Sequence, residues 1–244
     1  MKLIRDGALF VGLLGVAYAT QAQVSSSWTV TNDYDFRGNT QSAKDPALQG
    51  SLDYAHSSGW SLGMWGSSID FGPGDPNLEL DVYTGFSREI GNGVSYDVGA
   101  SWYTYPSETS LNYVELYAGL SKDWFSTKLW YSPKFGGTAA EEAAFSQTGN
   151  DSVSAWYVEV NGEWSLPRNL SLLAHLGYST GDYWDNAFGD DQVDYALGLG
   201  YTAGNFGLGL KYVDTSGDVK VRDKLFNNEG RVIFTVATTF PWGE

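Results

Sequence analysis

Asp33, Asp35 and Arg37 occupy alternate positions in the stretch TNDYDFRGNTQS, with Asn32, Tyr34 and Phe36 between them. Successive side chains of a β-strand point to opposite faces. This spacing therefore places two carboxylates and a guanidinium on one face and rings on the other. Such a triplet can brace a wall as an ion-pair network, joined by Glu79 or Asp81, or line a charged constriction that filters ions. The same alternation runs through later segments. It gathers Glu79, Asp81, Asp97, Glu115, Glu159, Glu163 and Asp194 in one polar phase, with Lys128, His175, Lys211 and Arg231 among them. A wall of that composition enriches cations by focusing the field, unless the bases neutralise it. Tyr83, Tyr103, Tyr113, Tyr117, Trp130 and Tyr157 share the phase. They offer either a stacking track for a sugar or ring, or simple filling of a narrow interior.

Catalytic chemistry finds little support. The histidines are His56 and His175. A barrel phospholipase needs a Ser–His pair on the lipid side, and His175 lies in the polar phase. A rim protease needs acids and a histidine at the outer edge, and His175 falls mid-strand. No enzyme activity is expected. No cofactor is expected either, and no cluster has metal-ligand spacing. Asp182, Asp185, Asp190 and Asp191 form an acidic loop, read as solvated or as a weak Ca²⁺ site.

These residues require strands to position them. Period-two patterns predict about twelve: 27–37, 46–56, 60–70, 77–87, 94–105, 111–120, 124–133, 153–164, 169–180, 192–202, 205–214 and 229–240. The third is irregular, since Trp60, Leu62 and Met64 oppose Trp65 and Ile69. In NLELDVYTGF, Leu78, Leu80 and Val82 oppose Glu79, Asp81 and Tyr83. Connections alternate between tight and long. SSG, EIGNG, SKD, SLPRN and AGN are turn sequences, whereas GNTQSAKDP, PKFGGTAAEEAAFSQTGND and GDYWDNAFGDD are long loops.

The formal net charge of −15 argues against a nucleic-acid partner. Cysteine is absent, so disulfides are excluded. Aromatics make up 16% and charged residues only 18%, below the roughly 25% charged of ordinary soluble domains. A secreted β-sandwich would have to hold the acids in a dry core or expose its whole apolar face to water. A closed barrel in a membrane removes the conflict, with the apolar face in lipid and the charges in a wet lumen. On this reading Tyr34 and Phe36 meet lipid, while Asp33, Asp35 and Arg37 face the lumen. The segment MKLIRDGALFVGLLGVAYATQAQ has basic Lys2 and Arg5 and an apolar run too short to span a bilayer. It reads as a secretory signal over 1–22, with cleavage after Ala19 or Ala22, ahead of one barrel domain over 23–244. Short turns in the periplasm put long loops outside and both termini in the periplasm.

The motif NDYDFRGNTQS resembles the signature of the TorF-type porin family, also described as the Gcw_chp family of bacterial outer-membrane proteins. Asn32 and Thr40 depart from the signature conservatively. PALQGSLDYAHSSGWSLGMWGSSIDF, LELDVYTGF, YDVGASWYTYP and NYVELYAGLS are similar to that family in order and spacing. The resemblance covers most of 27–135 and implies an outer-membrane barrel with pore activity. The expected role is a porin or narrow channel for small polar solutes or ions, preferring cations. The alternative is a non-conducting barrel with a structural or adhesion role. Expected partners are outer-membrane lipid and lipopolysaccharide, the barrel-assembly machinery during insertion, and a small polar solute or cation.

Overall fold

The computed structural model describes residues 23–72, 75–217, 220–221 and 226–242. The expected leader, 1–22, lies outside the described residues. Period-two segments become twelve wall strands: β1 Gln23–Thr31, β2 Ala47–Ala55, β3 Trp60–Ser68, β4 Leu78–Gly91, β5 Val94–Thr104 and β6 Tyr113–Lys122, then β7 Phe125–Ser132, β8 Ala155–Leu166, β9 Leu170–Thr180, β10 Gln192–Ala203, β11 Phe206–Thr215 and β12 Arg231–Phe240. Each pairs antiparallel with its sequence neighbour, and β1 pairs with both β2 and β12, so the sheet closes. Closure satisfies every wall strand on both sides and leaves no edge. No described helix is long and apolar enough to cross a membrane.

The alternation sorts the faces. Val30 pairs with Leu48 and Val236, and Leu199 with Leu172 and Leu210, so apolar side chains run across the outer surface. Leu62, Leu116, Leu197 and Val232 on that surface are more than half exposed. Two aromatic girdles bound this belt. Near the tight turns, Trp124 stacks on Trp164 at 4.9 Å and Phe240 on Trp242 at 4.8 Å. Near the long loops, Tyr131 lies 4.4 Å from Trp156, and Trp102, Tyr178, Tyr195 and Tyr212 stand outward. An apolar band between aromatic girdles is the outer surface of a barrel made for a bilayer.

The tight turns fall at one end and the long connections at the other. Arg168 and Asn169 both take positive φ, 66° and 61°, in the three-residue turn that joins Leu166 to its cross-strand partner Leu170. The connection over 133–154, expected as an irregular loop, contains a helix, α1 Gly137–Thr148. Its AAEEAA run favours helix, and Gly149 closes it in the left-handed region at φ 74°. A shorter helix, α2 Asp182–Ala187, occupies the acidic loop.

The first strand departs most from expectation. It ends at Thr31 rather than at residue 37. Thr31 Oγ1 takes the backbone N–H of Asp33 at 3.3 Å, and the Asn32 side chain bonds across to the Phe234 N–H at 2.6 Å. The Asn32 N–H still donates to the Phe234 carbonyl at 3.2 Å, and beyond that last ladder bond these side-chain bonds turn the chain inward. Asp35–Phe36 and Asn39–Thr40 then form a small hairpin inside the barrel, closed by Arg37 at φ 52° and Gly38 at φ 83°. Tyr34 and Phe36 therefore do not meet lipid. Tyr34 is 8% exposed and packs edge-on against Trp65 at 5.3 Å, and Phe36 packs against Tyr103 at 6.0 Å. The irregularity of β3 has the same origin. Trp65 turns inward to receive Tyr34, and Ile69, beyond the strand end, joins the same cluster with Phe71, Tyr105 and Tyr113.

Candidate functional site

The inner hairpin spans the lumen at the long-loop end. On one wall, Arg231 of β12 holds it three times. Its Nε donates to Asp33, its Nη2 to Asp35 at 2.8 Å and its Nη1 to the Gly38 carbonyl at 2.8 Å. Lys211 of β11 donates to the second Asp35 oxygen at 2.8 Å. Gln192 of β10 donates to the Arg37 carbonyl at 2.8 Å. Gly38 fits because it lacks a side chain. A Cβ there would lie 2.3 Å from Thr215 Cγ2 and 2.9 Å from Asp194 Cβ.

Arg37 reaches the far wall. Its Nη1 and Nη2 donate to the two oxygens of Glu115 on β6, at 2.9 and 2.7 Å. Its guanidinium carbon lies 4.2 Å from the Tyr157 ring centre, 4.7 Å from Phe36, 5.7 Å from Trp130 and 5.8 Å from Phe135. The forked, charge-assisted ion pair and the neighbouring ring faces both favour the guanidinium in this partly dry space. Glu115 is 1% exposed. The expected partnership of Arg37 with Glu79 or Asp81 does not form, because the hairpin tip points across the lumen and away from β4.

Glu79 and Asp81 are sealed instead. They are 2% and 7% exposed beneath the aromatic cluster, with the Tyr34 and Tyr105 hydroxyls turned to Glu79. Glu79 Oε2 and Asp81 Oδ1 find no hydrogen-bond donor among the described residues.

Below the hairpin the lumen is polar. Tyr83 donates to Asp53, a further inward carboxylate, on β2. Lys128 pairs with Asp97 at 3.0 Å and lies over Tyr117 at 4.5 Å and Trp130 at 5.3 Å. Trp130 Nε1 donates to Glu159 at 2.8 Å. His175 bridges Asn161 at 2.7 Å and Asp194 at 2.8 Å, and its Nε2 lies 3.0 Å from the Tyr157 hydroxyl. Glycines on neighbouring strands make room for these groups. A Cβ at Gly177 would sit 2.1 Å from the Tyr157 hydroxyl, and one at Gly119 2.5 Å from the Asp97 carboxylate. Tyr103 and Tyr113 stack at 4.5 Å and are buried. A cavity of about 60 Å³ lies under the hairpin, lined by Thr31, Asp35, Gln49, Leu173, Lys211 and Ile233.

The acidic loop is used structurally. Asp182 accepts from the hydroxyls of Ser152 and of Ser154, the latter at 2.9 Å. Those two hydroxyls hold its carboxyl below the usual aspartate range. Asp191 accepts from Tyr178 at the long-loop rim.

Sequence reasoning located the inward phase and so most of the lining. It missed the hairpin and the rings brought by loops, Phe135 above all. The one local signal for the hairpin was Arg37-Gly38 between short polar runs, a turn dipeptide inside what otherwise reads as a strand.

The family model described as "Bacterial protein of unknown function (Gcw_chp)" matches residues 17–240. The chain belongs to the Gcw_chp family. Two porin structures share the fold of this Gcw_chp barrel. A KdgM porin in complex with disordered oligogalacturonate is 11% identical, with a TM-score of 0.54 over 91% of this chain and 99% of that one. A NanC porin is 8% identical, with a TM-score of 0.54 over 89% of this chain and 98% of the other. No relative of the Gcw_chp chain is found among curated proteins.

Proposed function

We propose that this protein is an outer-membrane channel of the TorF-type porin kind, passing small polar solutes or ions and preferring cations. The observation that carries the reading is the lumen itself. A closed barrel with an apolar, girdled exterior encloses a polar interior whose lower half holds Asp53, Asp97, Glu159 and Glu163 against Lys128 and a bridged His175. Charged groups facing a solvated passage focus counter-ions.

In this reading the mature chain follows removal of residues 1–22, and the short turns and both termini face the periplasm. The protein contacts lipid and lipopolysaccharide and is inserted by the barrel-assembly machinery. No enzyme activity is proposed: His175 is engaged with Asp194, Asn161 and Tyr157 inside the barrel, away from the lipid side.

A second reading rests on the hairpin and the aromatic cluster, which fill the long-loop end. On that reading the barrel is a non-conducting structural or adhesion protein. Planar-bilayer recording of the purified protein under a KCl gradient separates the two. Discrete steps with a cation-selective reversal potential support the channel, and silence supports the filled barrel. Surface labelling of tags at 150 and 204 tests the orientation, with residue 150 reactive on intact cells and 204 protected.

A further inference from the structure

We propose that the seat of Arg37 is a binding site for guanidinium-bearing solutes, and that Arg37 is its tethered occupant. The inference rests on the channel reading only in making that solute a cargo or gating ligand; the binding chemistry stands apart from it.

The seat belongs to the wall and to a loop, while its occupant belongs to the hairpin. Glu115, Trp130 and Tyr157 come from three consecutive strands, β6, β7 and β8. Two of them are held in place without Arg37. Trp130 is fixed by its Nε1 bond to Glu159, and Tyr157 by Asp194 and His175. Arg231, Lys211 and Lys128 are built into strands, whereas Arg37 sits at the tip of a two-residue turn. A site preorganised for a planar cation would thus remain if the Arg37 side chain were removed or displaced.

Burial adds a constraint. Glu115 is 1% exposed, and its two oxygens are both engaged by Arg37. Withdrawing Arg37 alone would leave a desolvated carboxylate unpaired, which is strongly unfavourable. The hairpin therefore leaves this wall most readily in exchange for another cation. A guanidinium matches the fork of Glu115, and the ring faces of Tyr157 and Trp130 favour it over a strongly hydrated ion such as sodium.

The test replaces the occupant. Arg37 has φ 52°, so Arg37→Gly removes the guanidinium and suits the backbone. The folded variant in detergent is titrated calorimetrically with methylguanidinium chloride, with sodium chloride and tetramethylammonium chloride as controls. Saturable one-to-one binding is expected for Arg37→Gly, weakened at least about tenfold by adding Glu115→Gln, because the forked ion pair is lost. No saturable binding, or binding unaffected by Glu115→Gln, overturns the proposal. If Arg37→Gly does not fold, the full-length protein carrying Asn39→Cys replaces it. Methylguanidinium should then speed thiol labelling of the hairpin at least about fivefold over equal sodium chloride, as expected for a competitor that shifts its equilibrium; an unchanged rate overturns the proposal. Bilayer recordings keep the two readings apart. Binding by a silent barrel sinks the channel and leaves the seat. Conductance without binding sinks the seat and leaves the channel.

Discussion

Replacing Arg231 by Met should release the inner hairpin while sparing the wall. Arg231 is 9% exposed and serves Asp33, which is 2% exposed, Asp35 and the Gly38 carbonyl at once. Methionine keeps the apolar stem but not the guanidinium, and so leaves Asp33 without its cation. Breaking a buried ion pair from one side costs about 3–5 kcal/mol. Lys211 still holds Asp35, and the far-wall Arg37–Glu115 pair is untouched, so the lower figure applies. The ladder of β12 to β1 and β11 is made by backbone groups and does not depend on this side chain. About 3 kcal/mol moves the equilibrium between docked and undocked hairpin by roughly a hundredfold. Because the chain has no cysteine, Asn39→Cys is a unique reporter on the hairpin. Its modification rate should rise by about that factor in Arg231→Met, with the unboiled protein still migrating as a folded barrel. If labelling stays within about twofold of the parent, the hairpin is held by packing of Tyr34 and Phe36 and not by its charges, and the reasoning fails.

Three further outcomes are expected. Gly177→Ala would place a Cβ 2.1 Å from the Tyr157 hydroxyl and 2.4 Å from Asp194 Oδ2, so it should destabilise the barrel by about 1–3 kcal/mol, read as a lower temperature of the gel-mobility transition. Asp81→Asn should leave ion selectivity unchanged, because its side chain is sealed from the open lumen, and should not lower stability; a large selectivity shift would place Asp81 in the conducting path. Asp182 has a folded-state pKa depressed by the Ser152 and Ser154 hydroxyls, so its support of α2 is fully present above the ordinary value of 3.8 and is lost as pH falls through the lower folded value. The exchange protection factors of amides 182–187, each rate taken relative to its intrinsic rate at the same pH, should therefore be lower at pH 3 than at pH 6, and Ser154→Ala should reproduce part of that loss of protection at pH 6.

Period-two alternation was sufficient to place the wall. Val30, Leu80, Leu116 and Leu199 mark the lipid side, and Glu79, Glu115 and Asp194 the inner side, because parity along a strand is a local property. The contrast between SLPRN or EIGNG and the long connections was likewise enough to sort the two ends. The sequence did not reveal that residues 33–40 leave the wall, since their alternation mimics a strand while Thr31 turns the chain inward by bonding locally to Asp33 and Asn32 by bonding across to β12. Nor did it pair the charges. Arg37 and Glu115 lie 78 residues apart on opposite sides of the ring and meet only because the barrel closes and the hairpin crosses it. Whether a carboxylate such as Asp81 is sealed or wet depends on which loop rings cover it. That is decided by packing among β3, β4, β5 and the loops, which no local pattern records.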